Sequence, residues 1–414
     1  MFKSLISIYK KTSIVTQIVV GLIIGILLAW LVPEQASGVS ILGEFFVKAL
    51  KSVAPLLVFI LVTSAIASHV SGTKTGLKSI ILLYAVSTLI AAALATLASF
   101  LFPITIKFPE TVDLTSAAAS GSLVDILKNI FLGAVSNPVT AISEANYISI
   151  LVWAIALGLM FKKTNQATKN VLFDLSHVVT EVVKLVIRLA PLGVMGLVFS
   201  SCTQEGGFGN LVQYGKLIAL LVAVMFIVAL ITNPILVAIT TKKNPFPLVW
   251  ITLKESAYFA FFTRSSAANI PVNLNLCRRM NVPDTMSSIS IPLGATVNMS
   301  GAAITISILT LAAANTLYGS DLDFTTALLL CFISAVGACG SSGMAGGSLM
   351  LIPLACSLFG IGNDIAMQMV AIGMVIGVIQ DSCETALNSS SDALFTIAVS
   401  EREKQKETKA NKEA

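Results

Sequence analysis

The sequence predicts an all-α, polytopic membrane protein of eight transmembrane helices plus two opposed re-entrant helical hairpins, arranged as inverted repeats. Three observations predict it. First, 56% of the 414 residues are hydrophobic and only 11% charged, with a mean hydropathy of +0.89. Soluble domains carry roughly 25% charged residues, so a soluble chain of this size could not cover its surface. Second, apolar runs of membrane-spanning length recur along the chain, separated by alternating basic and acidic loops. Third, two further apolar segments are flanked at both ends by charge of the same sign. Soluble globular, nucleic-acid-binding and disordered classes are excluded.

A span needs about 20 mostly apolar residues. Lys3, Lys10 and Lys11 precede the run Ile14–Val32, as in a signal peptide, but no small-residue cleavage site follows. That run is read as the first span. The others are Phe45–Ser68, Leu77–Phe102, Tyr147–Phe161, Val178–Ser200, Leu211–Thr240, Ile289–Leu317 and Ile365–Val399. Leu123–Val135 is too short alone and is assigned to a broken span with Tyr147–Phe161. Basic clusters fall at Lys74/Lys78, Lys162/Lys163/Lys169, Lys242/Lys243 and Arg278/Arg279. Between them lie Glu34/Glu44, Glu110/Asp113/Asp125, Glu205, Asp321/Asp323 and Asp364. Lys and Arg excess marks the cytoplasmic side, so both termini are placed inside. The net charge of +5 therefore records orientation, not affinity for polyanions. Residues 1–400 read as one membrane unit. The tail 401–414 mixes both charges without apolar periodicity and is expected to be a disordered cytoplasmic end.

The segment Tyr258–Leu276 has basic clusters on both sides, so it enters and leaves on the cytoplasmic face. It holds Thr263-Arg264-Ser265-Ser266 and Pro271, which no lipid-facing helix would carry at that depth. Leu328–Phe359 has acidic residues on both sides and a glycine-rich middle from Gly337 to Gly347. Each is expected to be a helical hairpin with its tip buried in protein, because irregular backbone survives at membrane depth only there or along a cavity. Interrupted segments at corresponding positions point to a midplane site in a secondary transporter.

The last span carries Asp381, Glu384, Thr385, Asn388 and Asp392, spaced to share one helical face. A carboxylate at a helix centre costs ~2.5–3.5 kcal/mol on insertion scales, so such residues mark ion or substrate pathways. Arg264 is the available counter-ion, and one arginine cannot neutralise three carboxylates. A cationic ligand, a cation cosubstrate or protonation must supply the balance. The seventh span contains Pro292 to Gly301, with Gly294, Asn298 and Gly301 inside an apolar run. These suggest local unwinding that frees carbonyl oxygens for a hard cation such as sodium.

With these motifs in order, the chain resembles the dicarboxylate/amino acid:cation symporter family, which includes the glutamate transporters, over nearly its whole length. Within it, the chain looks most like members that carry serine and threonine with sodium in the bacterial inner membrane. The resemblance implies a homotrimer moving by an elevator mechanism. A scaffold of about 12–68 and 120–200 would hold a transport part of about 77–102 and 211–399. It implies that Asp381 takes the substrate α-amino group beside Thr385, and that Asn388, Ser265 and Ser266 hold the α-carboxylate. Gly294, Asn298, Asn388 and Asp392 match one sodium site. The carbonyls of Thr296 and of the second hairpin around Ala335 to Ala338 match another, formed when that hairpin closes. Sodium is thus the implied cosubstrate, and the bilayer the implied surroundings.

Departures from the family pattern bear on the substrate. Acidic amino acid carriers have an arginine where this chain has Glu384 and a threonine where it has Ala302. Glu384 would repel an acidic side chain and accept a hydrogen bond from a hydroxyl, favouring L-serine and L-threonine over glutamate. Ser300 stands where sodium-driven members often have aspartate. That weakens a third sodium site matching Tyr84, Ser87, Thr88 and Asn298; otherwise those side chains serve helix–helix hydrogen bonding. Other small neutral amino acids, dicarboxylates and proton coupling through Glu384 or Asp381 remain open alternatives.

Other classes fare worse. Gly340-Ser341-Ser342-Gly343 matches a serine-type intramembrane protease motif, but His69 and His177 both precede it, whereas the base belongs on a later helix. Asp381 and Asp392 lie about 16 Å apart along one helix at 1.5 Å per residue, too far for an aspartyl dyad. A channel would need rings of carbonyls or charges from repeated subunits. The six cysteines show no ligand spacing. An enzyme is not expected.

Overall fold

The computed structural model describes residues 14–68, 76–106, 132, 136–203, 207–319, 322, 324–341 and 346–413. Every regular element among them is helical. The Leu123–Val135 segment falls almost entirely outside the described residues, as do Ser342 to Ala345 of the second hairpin.

In chain order the helices are α1 (Ile14–Leu31), α2 (Ser40–Ser68), α3 (Leu77–Leu101), the short α4 (Pro138–Ser143) and α5 (Tyr147–Phe161). Then come α6 (Gln166–Ile187), α7 (Ala190–Thr203), α8 (Gly209–Ile227) and α9 (Asn233–Thr241). Among the described residues, five helices are long and apolar enough to cross a membrane, or six if the bent pair α6 and α7 forms one span. The expected span Val178–Ser200 is therefore not one straight helix: α6 and α7 meet at 50°. Pro191 has no N–H for the carbonyl one turn back, so the helix breaks just before it. Pro234 creates the same deficit between α8 and α9. There a π-helical turn, Val228–Thr232, absorbs it and the rod continues.

The first hairpin is built from α10 (Phe246–Thr252), a π turn at Leu253–Ala257, α11 (Tyr258–Thr263) and α12 (Ser266–Arg279). Helix α11 ends with Arg264 in the left-handed region at φ 52°, and the Ser265 hydroxyl caps α12 by accepting from the Ala268 amide at 3.3 Å. This is the tight polar tip that Thr263 to Ser266 implied. The seventh span is split, as the glycines and asparagine suggested, into α13 (Asp284–Val297) and α14 (Ser300–Tyr318), with Asn298 and Met299 non-helical between them. The second hairpin comprises α15 (Phe324–Ala338), a 3-10 turn at Ser348–Leu351 and α16 (Ile352–Ser357).

Helix α17 runs from Asn363 to Glu413. The disordered tail expected at 401–414 is thus corrected: the helix continues through nearly all of it. Arg402 donates to the Ser79 hydroxyl at 2.8 Å, Lys404 to the Asn281 carbonyl at 2.7 Å, and Glu403 accepts from Arg402 and Lys406. A polar segment without apolar periodicity can still be helical when its residues have high propensity and find such anchors.

Packing divides the helices. α1, α2, α5, α6 and α7 pack chiefly on one another, while α3, α8 to α14 and α16 gather around α17, and α15 packs on α3 and α14. Glycines bring α1 and α7 together: a Cβ at Gly25 would lie 2.5 Å from the Met195 carbonyl oxygen. Close backbone approach of this kind replaces the hydrophobic driving force that lipid does not supply.

Candidate functional site

The site forms where α17 passes the break between α13 and α14 and meets the tips of both hairpins. Asp381, Glu384, Thr385, Asn388 and Asp392 are all buried, none more than 6% exposed. The predicted stripe is therefore inside the protein, and each polar member has a different environment.

Asp381 pairs with Arg264 of the first hairpin, Nε to Oδ2 at 2.6 Å, and its Oδ1 accepts from the Gly346 amide of the second hairpin at 3.3 Å. Both tips thus reach one carboxylate. Arg264 pairs with neither Glu384 nor Asp392 among the described residues. Glu384 instead receives three neutral donors on its Oε2: Thr305 at 2.7 Å, Ser348 at 2.8 Å and Gln380 at 2.5 Å. Gly301 makes room for it, since a Cβ there would lie 2.8 Å from the Glu384 carbonyl oxygen. Ala302 is fully buried beside Gly301 in the first turn of α14.

Asn388 closes the start of α14. Its Oδ1 accepts from the Gly301 amide at 2.7 Å, satisfying one of the donors that a helix N-terminus leaves unpaired. Its Nδ2 faces only the Met299 sulfur, at 3.4 Å, a weak acceptor that leaves the amide available to a better one. Asn298 donates from Nδ2 to Asp392 Oδ1 at 2.9 Å, Ser391 Oγ at 2.7 Å and the Asn388 carbonyl at 3.3 Å. Its Oδ1 is buried with no hydrogen-bond partner.

These oxygens fit a hard cation. Asp392 is a buried carboxylate whose side-chain partner is a neutral amide, and Asn298 Oδ1 is an acceptor lacking a donor. A Cβ at Gly294 would lie 2.5 Å from Asp392 Oδ1, so only glycine lets the α13 backbone approach the carboxylate this closely. Gly294, Asn298, Asn388 and Asp392 are thus brought together. Thr296 is different. Its side chain is exposed and its hydroxyl turns back to the Leu293 carbonyl. Ala335 and Ala338 lie in the last turn of α15, and the next residue, Cys339, points its Sγ at the Val297 carbonyl at 3.5 Å. That contact brings the hairpin tip to the C-terminal end of α13.

Tyr84 and Ser87 make helix–helix hydrogen bonds. Tyr84 bonds with Thr396 and with the carbonyls of Ser290 and Asp392; Ser87 bonds with Asn233 at 2.8 Å and Ser300 at 3.0 Å. Thr88 Oγ1 lies buried without a partner.

A chain that carries buried carboxylates against a broken helix and two opposed hairpin tips has the anatomy of a carrier, and comparison with known families agrees. Residues 14–402 match the sodium:dicarboxylate symporter family. The chain belongs to that family. It is therefore a membrane-embedded symporter of the sodium-coupled, glutamate transporter-like class, and not an enzyme.

Reasoning from sequence missed Gln380, Thr305 and Ser348, which hold Glu384. It also missed Asn269 and Asn273, whose amides fix α12 to Ser389 of α17 at 2.7 and 2.9 Å. Gln380 carried a usable signal, lying four residues before Glu384 on the same helical face. The other two lie 79 and 36 residues away from Glu384, beyond any local periodicity.

Proposed function

We propose that this symporter imports neutral hydroxy-amino acids, L-serine and L-threonine, with sodium. The observation that carries the reading is Glu384, a second carboxylate one turn from Asp381, surrounded by neutral donors while Arg264 is committed to Asp381. An acidic side chain entering here would meet negative charge with no free cation to offset it. A hydroxyl would find an acceptor.

In this reading the substrate ammonium binds at Asp381 beside Thr385. The α-carboxylate lies between Asn388 Nδ2 and the start of α12 at Ser265 and Ser266, where unpaired amides and the helix dipole favour an anion. The hydroxyl points to Glu384, past Ala302. One sodium takes oxygens from Gly294, Asn298, Asn388 and Asp392; a second takes carbonyls near Thr296 and Ala335 to Ala338 once the second hairpin closes. With Ser300 in place of an acidic residue, fewer sodium ions couple to each substrate than in carriers with an aspartate there. The two packing groups support an elevator, with α1, α2 and α5 to α7 as the fixed scaffold of a homotrimer. The cytoplasmic termini are read from the loop charges, and the bacterial inner membrane from the resemblance to serine and threonine carriers.

The test is radiolabelled L-serine uptake into proteoliposomes under an inward sodium gradient, then under a proton gradient alone. Sodium-dependent uptake blocked by threonine but not by aspartate is expected. Inhibition by aspartate would overturn the role given to Glu384 and Ala302 and favour a dicarboxylate carrier. Uptake driven only by protons would remove the sodium sites and keep the carrier. Measured movement of two or more net charges per serine would contradict the reduced sodium coupling.

A further inference from the structure

We infer that Gln380, Thr305 and Ser348 are positioning residues that aim Glu384, filling its Oε2 with protein donors so that only Oε1 is left for the substrate hydroxyl. This rests on the proposed reading of the substrate and adds the machinery that makes the site selective.

The geometry sets the direction of every bond. Gln380 Nε2 lies 2.7 Å from Thr305 Oγ1 and 2.5 Å from Glu384 Oε2, so its two hydrogens serve these two acceptors. With its lone pair occupied by Gln380, Thr305 gives its own proton to Glu384 Oε2 at 2.7 Å. Ser348 supplies a third donor at 2.8 Å. Reversing the Gln380 amide would set its oxygen against a carboxylate oxygen, so the orientation is fixed by its neighbours. All four side chains are 5% exposed or less.

An oxygen that already accepts three hydrogen bonds has no room for a proton or for a ligand donor. Among the described residues no donor reaches Oε1. The carboxylate is thereby held in one rotamer with one oxygen unclaimed, a single acceptor for a single donor. Serine and threonine supply that donor; alanine does not, and leaves a buried anionic oxygen unpaired. Selectivity for a hydroxyl thus needs the triad as much as Glu384 itself. Without it the carboxylate can turn and satisfy Oε1 elsewhere in the protein, and the advantage of the hydroxyl disappears. Ser348 adds a condition: it belongs to the second hairpin, whose Gly346 contacts Asp381. The clamp is complete only while that hairpin lies against α17.

The test compares sodium-driven uptake of L-serine and L-alanine in proteoliposomes for the wild type, Thr305→Val, Thr305→Ser, Gln380→Leu and Ser348→Ala. The ratio of the two KM values is the readout. Thr305→Val and Gln380→Leu are expected to raise the KM for serine roughly tenfold, as for loss of a hydrogen bond to a charged group, while the KM for alanine changes by less than about twofold. Thr305→Ser keeps the hydroxyl and is expected to restore the wild-type ratio. A residue that only stabilises the fold would move both substrates together. Equal changes for serine and alanine, or an unchanged ratio in Gln380→Leu and Ser348→Ala, would overturn the inference while leaving serine transport intact. A wild type that carries no serine would overturn the parent reading, and this one with it. Substitutions at three positions keep the test alive if one of the variants fails to assemble.

Discussion

Two regions of this membrane protein solve burial in opposite ways. Where α1 and α2 meet α7, small residues let backbones touch: Gly25 faces the Met195 carbonyl and Gly43 the Leu197 amide. That region buries few polar side chains and turns large apolar ones such as Trp30, Phe45 and Leu56 outward. Around α14 and α17 the order is reversed. Ser300, Thr305, Asn298, Gln380, Asp381, Glu384, Asn388 and Asp392 are all buried, and the apolar residues between them serve as packing. Buried polar groups add little to stability and are expensive when left unpaired. Their concentration in one region marks where function has displaced stability as the determinant of sequence. In the proposed reading, the glycine-packed helices hold and the polar-cored helices bind.

If that division is right, isosteric changes in the two regions should separate binding from stability. The largest effect is expected from Asp392→Asn. The substitution keeps an oxygen for Asn298 but removes the charge that balances a cation. Loss of one member of a buried charge pair is worth roughly 3–5 kcal/mol. At about 1.4 kcal/mol per tenfold, the sodium concentration for half-maximal uptake should rise 100-fold or more. Thermal unfolding in detergent without sodium should change little. An unchanged sodium dependence would remove Asp392 from the ion site.

Glu384→Gln comes next. The amide retains the shape but gives Oε2's donors a weaker acceptor, so serine uptake should fall by roughly tenfold in kcat/KM, and competition by aspartate should strengthen. The comparison breaks in the other direction with Gly25→Val. Its side chain would enter the Met195 carbonyl, and overpacking of this kind destabilises by about 1–3 kcal/mol. A lower melting temperature is expected, with the KM for serine unaltered in the protein that remains folded. A shifted KM would mean that the two regions are not separable.

Different parts of this arrangement were legible to different degrees. Spans and hairpins could be read because hydropathy and loop charge are local properties of the chain. The hairpin at Arg264 follows from cations on both sides of one apolar segment, and the break at Asn298 from an asparagine between glycines. The stripe from Asp381 to Asp392 follows from helical spacing alone. What stayed hidden depends on contact between distant segments. Nothing near Thr305 or Ser348 in sequence says that either hydroxyl meets Glu384. The 50° bend before Pro191 lies inside a stretch that hydropathy, averaged over a span's length, reads as a single crossing.

The smallest effect concerns the end of α17, which carries the polar stripe in its middle and a charged segment beyond it. Arg402 donates to Ser79 at the start of α3, and Lys404 to the Asn281 carbonyl between α12 and α13. These bonds tie the C-terminal end of α17 to elements on two sides of it. Arg402 is about a third exposed, so its removal should destabilise by only about 0.5–1 kcal/mol. Arg402→Ala is expected to lower the melting temperature slightly and to leave the KM for serine unchanged, because the nearest site residue, Asp392, lies almost three turns away. Faster hydrogen exchange confined to residues beyond 400 would show that Arg402 pins the last turns of the helix. Exchange that spreads back to Asp392 would show instead that the tail supports the ion site, and the boundary between holding and binding would have to be drawn inside α17 itself.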